Sequence, residues 1–167
     1  MTEFRGNADG KDLRVALVAA QFNEFLTKDL VASCLKGLES CAVVRDRVDT
    51  FWVPGSFEIP LIAQHAALSG SYDAIICLGV ILKGETSHDK LLSESVSSGV
   101  EAAARETGVP MVFGVLSVDS VQQAIDRISG EAGNRGRQFA MTAVEMANLV
   151  HQMKERGPVW HKLFSKT

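Results

Sequence analysis

Two kinds of hydrophobic pattern alternate along the chain. Leu13 to Ala20 (LRVALVAA) is a continuous apolar run, the mark of a strand covered on both faces. Gln21-Phe22-Asn23 breaks it, and Glu24 to Glu39 moves to helical spacing through Phe25, Leu30, Cys34 and Leu38. Val48 to Val53 reads as a second strand, ended by Pro54-Gly55. Ser56 is then placed to cap a helix carrying Phe57, Glu58, Ile59, Leu61, Ile62 and Ala66, with Pro60 near its first turn. A Gly-Ser-Tyr-Asp turn leads into a third strand, Asp73 to Val80, and Gly79 and Gly84 bracket the loop after it. Thr86-Ser87 offers capping oxygens, and Leu91, Leu92, Val96, Val100 and Ala103 mark an amphipathic helix over 88–106. Met111 to Leu116 is the fourth strand, and Asp119-Ser120 opens a helix from Val121 to Ile128. Ser129 to Gly136 (SGEAGNRG) interrupts, a last helix runs from about Gln138 to Glu155, and Gly157-Pro158 stops it.

Four strands alternating with helices predict an α/β protein. The expected architecture is a flavodoxin-like three-layer α/β/α sandwich, a four-stranded parallel sheet with helices on both faces. Residues 1–167 read as one domain with an N-terminal arm over 1–12 and a C-terminal tail over 156–167. The arm is a frayed end or a strand lent to a neighbouring subunit; the tail carries Trp160 and Phe164. Ligands of such sheets bind beyond the carboxyl ends of the strands. That rule gathers Gln21 to Glu24, Pro54 to Glu58, Ile81 to His88 and Phe113 to Asp119 at one end of the molecule.

Composition narrows the class. The chain has 167 residues, 46% hydrophobic and 22% charged, as expected of a globular domain with a real core. A formal charge of −3 speaks against a general nucleic-acid surface. Cys34, Cys41 and Cys77 lack CxxC spacing and read as small core residues in a reducing compartment. With no apolar leader and no run of transmembrane length, a cytoplasmic location and no membrane partner are expected.

The chemistry points to a phosphate beside a proton-transfer group. The loop Gly84-Glu85-Thr86 precedes a helix N-terminus, where amides and the helix dipole favour an anion, and His88 stands beside it. His88 is either a helix-start surface residue or a catalytic one. Phe22 is either a core aromatic closing a strand or a flat face for a planar heterocycle. Glu58 is either a favourable first-turn carboxylate or an acceptor for substrate hydroxyls. Arg127 either pairs with a nearby acid or meets an anion, and Arg135 and Arg137 form a solvated basic loop or supply a guanidinium to one. His65, His151 and His161 look inert, and no histidine pair has metal-ligand spacing. No GxGxxG follows the first strand, no Lys follows Gly84 as a P-loop needs, and no GxSxG occurs. A receiver-type signalling domain is disfavoured because Gln21-Phe22-Asn23 replaces the acids it would carry after its first strand.

FN at 22–23, WVPGSFEIP at 52–60, CLGVILKGETSH at 77–88, GVPMVFGVLS at 108–117 and the AGNRG and EMANL segments within 132–149 together resemble the lumazine synthase family. The resemblance implies condensation of 5-amino-6-ribitylamino-2,4(1H,3H)-pyrimidinedione with 3,4-dihydroxy-2-butanone 4-phosphate, late in riboflavin biosynthesis. It implies that Phe22 stacks on the pyrimidine and that Ser56, Phe57 and Glu58 hold pyrimidine and ribityl chain. Val80, Ile81 and Leu82 would contact the heterocycle through their backbone. Gly84, Glu85, Thr86 and Arg127 would bind phosphate, His88 would transfer protons, and Phe113 and Arg135 would complete the substrate pocket. No cofactor or metal is implied, because no electrons move and the phosphate is its own leaving group. The family builds pentamers with shared sites, some as shells of twelve pentamers. Three positions depart from its usual pattern: Arg135 stands for a lysine, Asp89-Lys90-Leu91 for a stretch often aromatic, and Gln138 for a frequent acid. The alternative is a low-activity paralogue that binds flavin or lumazine, or builds a shell.

Overall fold

A computed structural model of the chain describes residues 3–129 and 133–155. The expected tail with Trp160 and Phe164 and part of the SGEAGNRG turn lie outside these. Strands β1 (Val15–Ala20), β2 (Val48–Val53), β3 (Ala74–Leu82) and β4 (Met111–Val118) form one parallel sheet in the order β2-β1-β3-β4. Helices α1 (Glu24–Ser40), α2 (Ile59–Leu68), α3 (His88–Thr107), α4 (Val121–Ser129) and α5 (Arg135–Glu155) connect and cover it. The α/β sandwich expected from the alternation is therefore present.

Each face of the sheet has its own core. Leu17, Ile76 and Leu78 point to one side, where Leu26 and Leu30 of α1, Ile128 of α4 and Val144 of α5 meet them. Val18, Ile75 and Cys77 point to the other, against Ile59 and Ala63 of α2 and Val96 and Val100 of α3. Alternate residues of β1 and β3 thus serve opposite cores, which is why both strands are apolar without a polar phase. The edge strand β2 keeps Phe51 and Trp52 partly exposed.

Several boundaries shift, each for a tertiary reason. β3 runs on to Leu82, so Ile81 and Leu82 belong to the strand and not to the loop. β4 extends beside it, pairing Ile81 with Ser117 and Leu82 with Val118. α5 begins at Arg135, three residues ahead of the expected Gln138, and takes in Gly136. A Cβ on Gly136 would lie 2.7 Å from the Cys34 nitrogen, so glycine is what lets α5 approach α1. Ser56, Phe57 and Glu58 form a 3₁₀ turn, and α2 proper starts at Ile59 with Pro60 in its first turn. Ser56 does not cap that turn through its side chain, and neither Ser87 nor Asn23 caps its helix.

The arm follows α5. Asn148 Nδ2 donates to the carbonyls of Asn7 and Asp9 at 3.0 and 2.9 Å, and Gln152 Nε2 to that of Arg5 at 2.9 Å. His151, expected to be inert, has Nε2 2.9 Å from Asp73 Oδ1, joining the end of α5 to the start of β3. Among the described residues no helix is long and apolar enough to cross a membrane.

Candidate active site

The carboxyl ends of β1, β2 and β3 open on a cavity of about 390 Å³. Its walls are Phe22 beyond β1, Gly55-Ser56-Phe57 beyond β2, Val80-Ile81-Leu82 at the end of β3, and His88, Asp89 and Leu92 on the first turns of α3. Four segments far apart in the chain are brought together because parallel strands all deliver their loops to one end of the sheet.

Each wall has a local cause. Phe22 is 71% exposed, so it is not a core aromatic. The chain leaves the sheet at Ala20, and the Phe22 N–H donates to the Pro54 carbonyl at 3.1 Å, tying this loop to the neighbouring wall. Ser56 is buried at 6% exposure against β3. It fits only because Gly79 lacks a side chain: a Cβ there would lie 2.9 Å from Ser56 Oγ. Phe57 then projects outward, 64% exposed. Two phenyl faces therefore border an apolar opening, a setting suited to a flat ring.

His88 is the first residue of α3, exposed and at the rim. Its N–H meets Thr86 Oγ1 at 3.4 Å, a long contact that leaves the amides of this first turn available to an anion. Gly84, Glu85 and Thr86 are exposed beside it but do not line the cavity. Glu58 does not line it either: its Oε2 accepts the Gly55 N–H at 2.9 Å. A carboxylate can accept further bonds, so this one braces the wall and keeps acceptor capacity.

Phe113, Arg127 and Arg135 are not gathered into this cavity. Phe113 lies on the edge strand β4 opposite Cys77, and the two arginines are exposed on α4 and α5. Arg135 Nη1 donates to Gln138 Oε1 at 3.0 Å, so the glutamine attends the arginine and not the histidine. Asp89 and Leu92 line the cavity although neither was expected there as a site residue; helical spacing of four from His88 was the signal for Leu92. The cysteines add no chemistry here. All three are buried and free, and burial pushes the thiols of Cys34 and Cys77 up to about 12. Among the described residues no group of three or more His, Cys, Asp or Glu is disposed to hold a metal.

Residues 12–151 match the model of the family described as 6,7-dimethyl-8-ribityllumazine synthase. The chain belongs to that family. Membership in the lumazine synthase family places it in riboflavin biosynthesis, and the match runs from just before β1 to near the end of α5. Every wall of the cavity falls inside it.

Proposed function

We propose that the chain joins 5-amino-6-ribitylamino-2,4(1H,3H)-pyrimidinedione to 3,4-dihydroxy-2-butanone 4-phosphate, giving 6,7-dimethyl-8-ribityllumazine, inorganic phosphate and two waters. The observation carrying this reading is the cavity that gathers the Phe22 and Phe57 rings, the end of β3, and His88 at a helix start. The pyrimidine stacks against Phe22, with backbone groups of Val80, Ile81 and Leu82 along its edge. The 3₁₀ turn Ser56–Glu58 receives the ribityl chain, whose hydroxyls donate to Glu58. The phosphate sits on Gly84-Glu85-Thr86 and the first amides of α3.

In this arrangement the 5-amino nitrogen attacks the ketone carbon, and water leaves to give an imine. Loss of a carbon-bound proton and departure of phosphate give an enol. The enol tautomerises to a ketone, the ribitylamino nitrogen attacks it, and loss of the second water closes the ring. His88 carries protons between these steps. Holding the two reactants together supplies most of the acceleration, since fixed geometry contributes about 7–11 kcal/mol in favourable systems. Proton transfer by His88 adds a factor of about 10²–10⁴.

Phe113, Arg127 and Arg135 act on the cavity of an adjacent copy, a disposition supported by their lying outside the cavity of their own chain. The active form is then a homo-oligomer, a pentamer or a shell of pentamers. Two measurements test this reading. Mixing both substrates should produce lumazine absorbance and fluorescence, and light scattering should give a mass of at least five chains. A monomer, or an oligomer that never forms lumazine from the two substrates, would refute it.

A further inference from the structure

We propose that Asn23 is a positioning residue of this cavity, acting through the backbone of Val80; the inference rests on the lumazine-forming reading above. Asn23 takes left-handed backbone angles, φ 60° and ψ 38°, at the N-cap of α1. Asparagine and glycine adopt this conformation most readily. Its carbonyl accepts the N–H groups of Leu26 and Thr27 at 2.9 and 3.1 Å, so the helix start is served by main chain. An asparagine at this position ordinarily turns its side chain to the helix amides. Here it makes no such cap. Its Nδ2 donates instead to the Val80 carbonyl at 2.8 Å, 57 residues along the chain.

That bond falls where the sheet stops holding its own strands together. Backbone pairing of β1 with β3 ends at Ala19 opposite Leu78. The side-chain amide extends the attachment onto the part of β3 that lines the cavity. On the other flank of the same loop, the N–H groups of Gln21 and Phe22 donate to the carbonyls of Val53 and Pro54 at 2.8 and 3.1 Å. The loop is therefore pinned to both walls. Phe22 has only a phenyl ring and is 71% exposed. Its distance from the end of β3 is set by the anchorage of its neighbour, and that distance decides whether a flat heterocycle fits between them.

Two substitutions separate the hydrogen bond from the backbone geometry. Asn23→Gly keeps the left-handed conformation without strain but removes the donor. Asn23→Asp keeps size and tolerance of that conformation but turns an acceptor toward the Val80 carbonyl. Purified 6,7-dimethyl-8-ribityllumazine serves as the probe in a fluorescence titration, beside steady-state kinetics for each substrate and thermal melting. Both variants should bind the lumazine about tenfold more weakly, the worth of one lost hydrogen bond. KM for the pyrimidine should rise by a similar factor, while KM for the phosphate substrate stays within about twofold. Wild-type affinity in both variants would overturn the proposal. So would a uniform fall in kcat and both KM values that tracks a loss of melting temperature. A wild-type chain that binds the lumazine without forming it would end the enzymatic reading while leaving the binding comparison valid. One that binds none overturns both.

Discussion

The N–H of Gly55 donates to Oε2 of Glu58 across 2.9 Å, bracing from behind the turn whose front face borders the cavity. This single bond couples the stability of a wall to a residue proposed to hold substrate. Removing the acceptor leaves a partly buried N–H to find another partner, so Glu58→Ala should lower unfolding free energy by about 1–2 kcal/mol. Glu58→Gln retains an acceptor oxygen and should fold nearly as well, yet raise KM for the ribityl substrate several-fold. Urea denaturation checks the first expectation and steady-state kinetics the second. Equal denaturation midpoints for wild type and Glu58→Ala would contradict the bracing role.

His88 and Arg127 should separate kinetically. His88 is exposed at the start of α3, so His88→Ala should leave melting almost unchanged. It should reduce kcat by no more than about 10²–10⁴-fold and leave measurable turnover, because positioning carries the larger share. Arg127→Ala should act mainly by raising KM for the phosphate substrate. Kinetics in which Arg127→Ala abolishes kcat while His88→Ala alters only KM would reverse these roles.

The crossing of α1 and α5 depends on one glycine from each helix, each facing the other helix. A Cβ on Gly37 would lie 2.7 Å from the Ala140 Cβ, and one on Gly136 would lie 2.6 Å from Ser33 Oγ. Neither glycine has positive φ, so any penalty is steric and not conformational. Gly136→Ala should destabilise the fold by about 1–3 kcal/mol, as overpacking of a dense contact generally does. Chemical denaturation gives the value. A stabilised variant would mean that α5 can move off without loss.

Buried thiols predict the alkaline limb of stability. Cys34 and Cys77 have an ordinary value of 9.0 when unfolded and about 12 when folded, raised by burial. Between those values the native chain holds protons that the unfolded chain releases. Their contribution is therefore complete below 9.0 and declines as pH rises toward 12, by about 1.4 kcal/mol per pH unit for each thiol. Cys77→Ala should flatten the decline relative to wild type in denaturation series from about pH 8 to about pH 11. A thiol-specific reagent should label none of the three cysteines before unfolding. Rapid labelling of the native protein would show the burial to be wrong.

At the acid end the sign reverses. Hydrogen bonds from Arg14 and then Tyr72 hold the Asp49 carboxyl below its ordinary 3.8. Its contribution is present above that value and disappears as pH falls through the lower folded one. Asp49→Asn should make stability less steep in pH below about 3.8, a change visible in acid titration by circular dichroism. The pair is exposed, so the effect should be small and reduced by salt.

Much of the molecule was readable along the chain. The apolar runs within Leu13 to Ala20 and Asp73 to Val80 read as strands, and their alternation with helical spacing implied the parallel sheet. The rule that loops of such a sheet share one end was enough to bring Phe22, Ser56, Phe57 and His88 together. Local pattern failed where the deciding partner was remote. Ile81 and Leu82 looked like loop residues because a glycine follows, yet β4 extends their pairing. Gly136 looked like a break, yet it is the contact that seats α5 on α1. Asn23 read only as part of the break after the first strand, and its side chain is bonded to β3.

Sequence by itself determined which segments are strands, which are helices, and which loops share one end of the sheet, because hydrophobic period and turn residues act over a few neighbours. Tertiary structure alone decided that Glu58 braces a wall instead of lining it. It alone decided that Asn23 spans two strands, and that Phe113, Arg127 and Arg135 stand apart from the cavity of their own chain. Apart from the Gly55–Glu58 bond, those relations join residues tens of positions apart, and a distance of that kind exists only once the sheet has set its strand order.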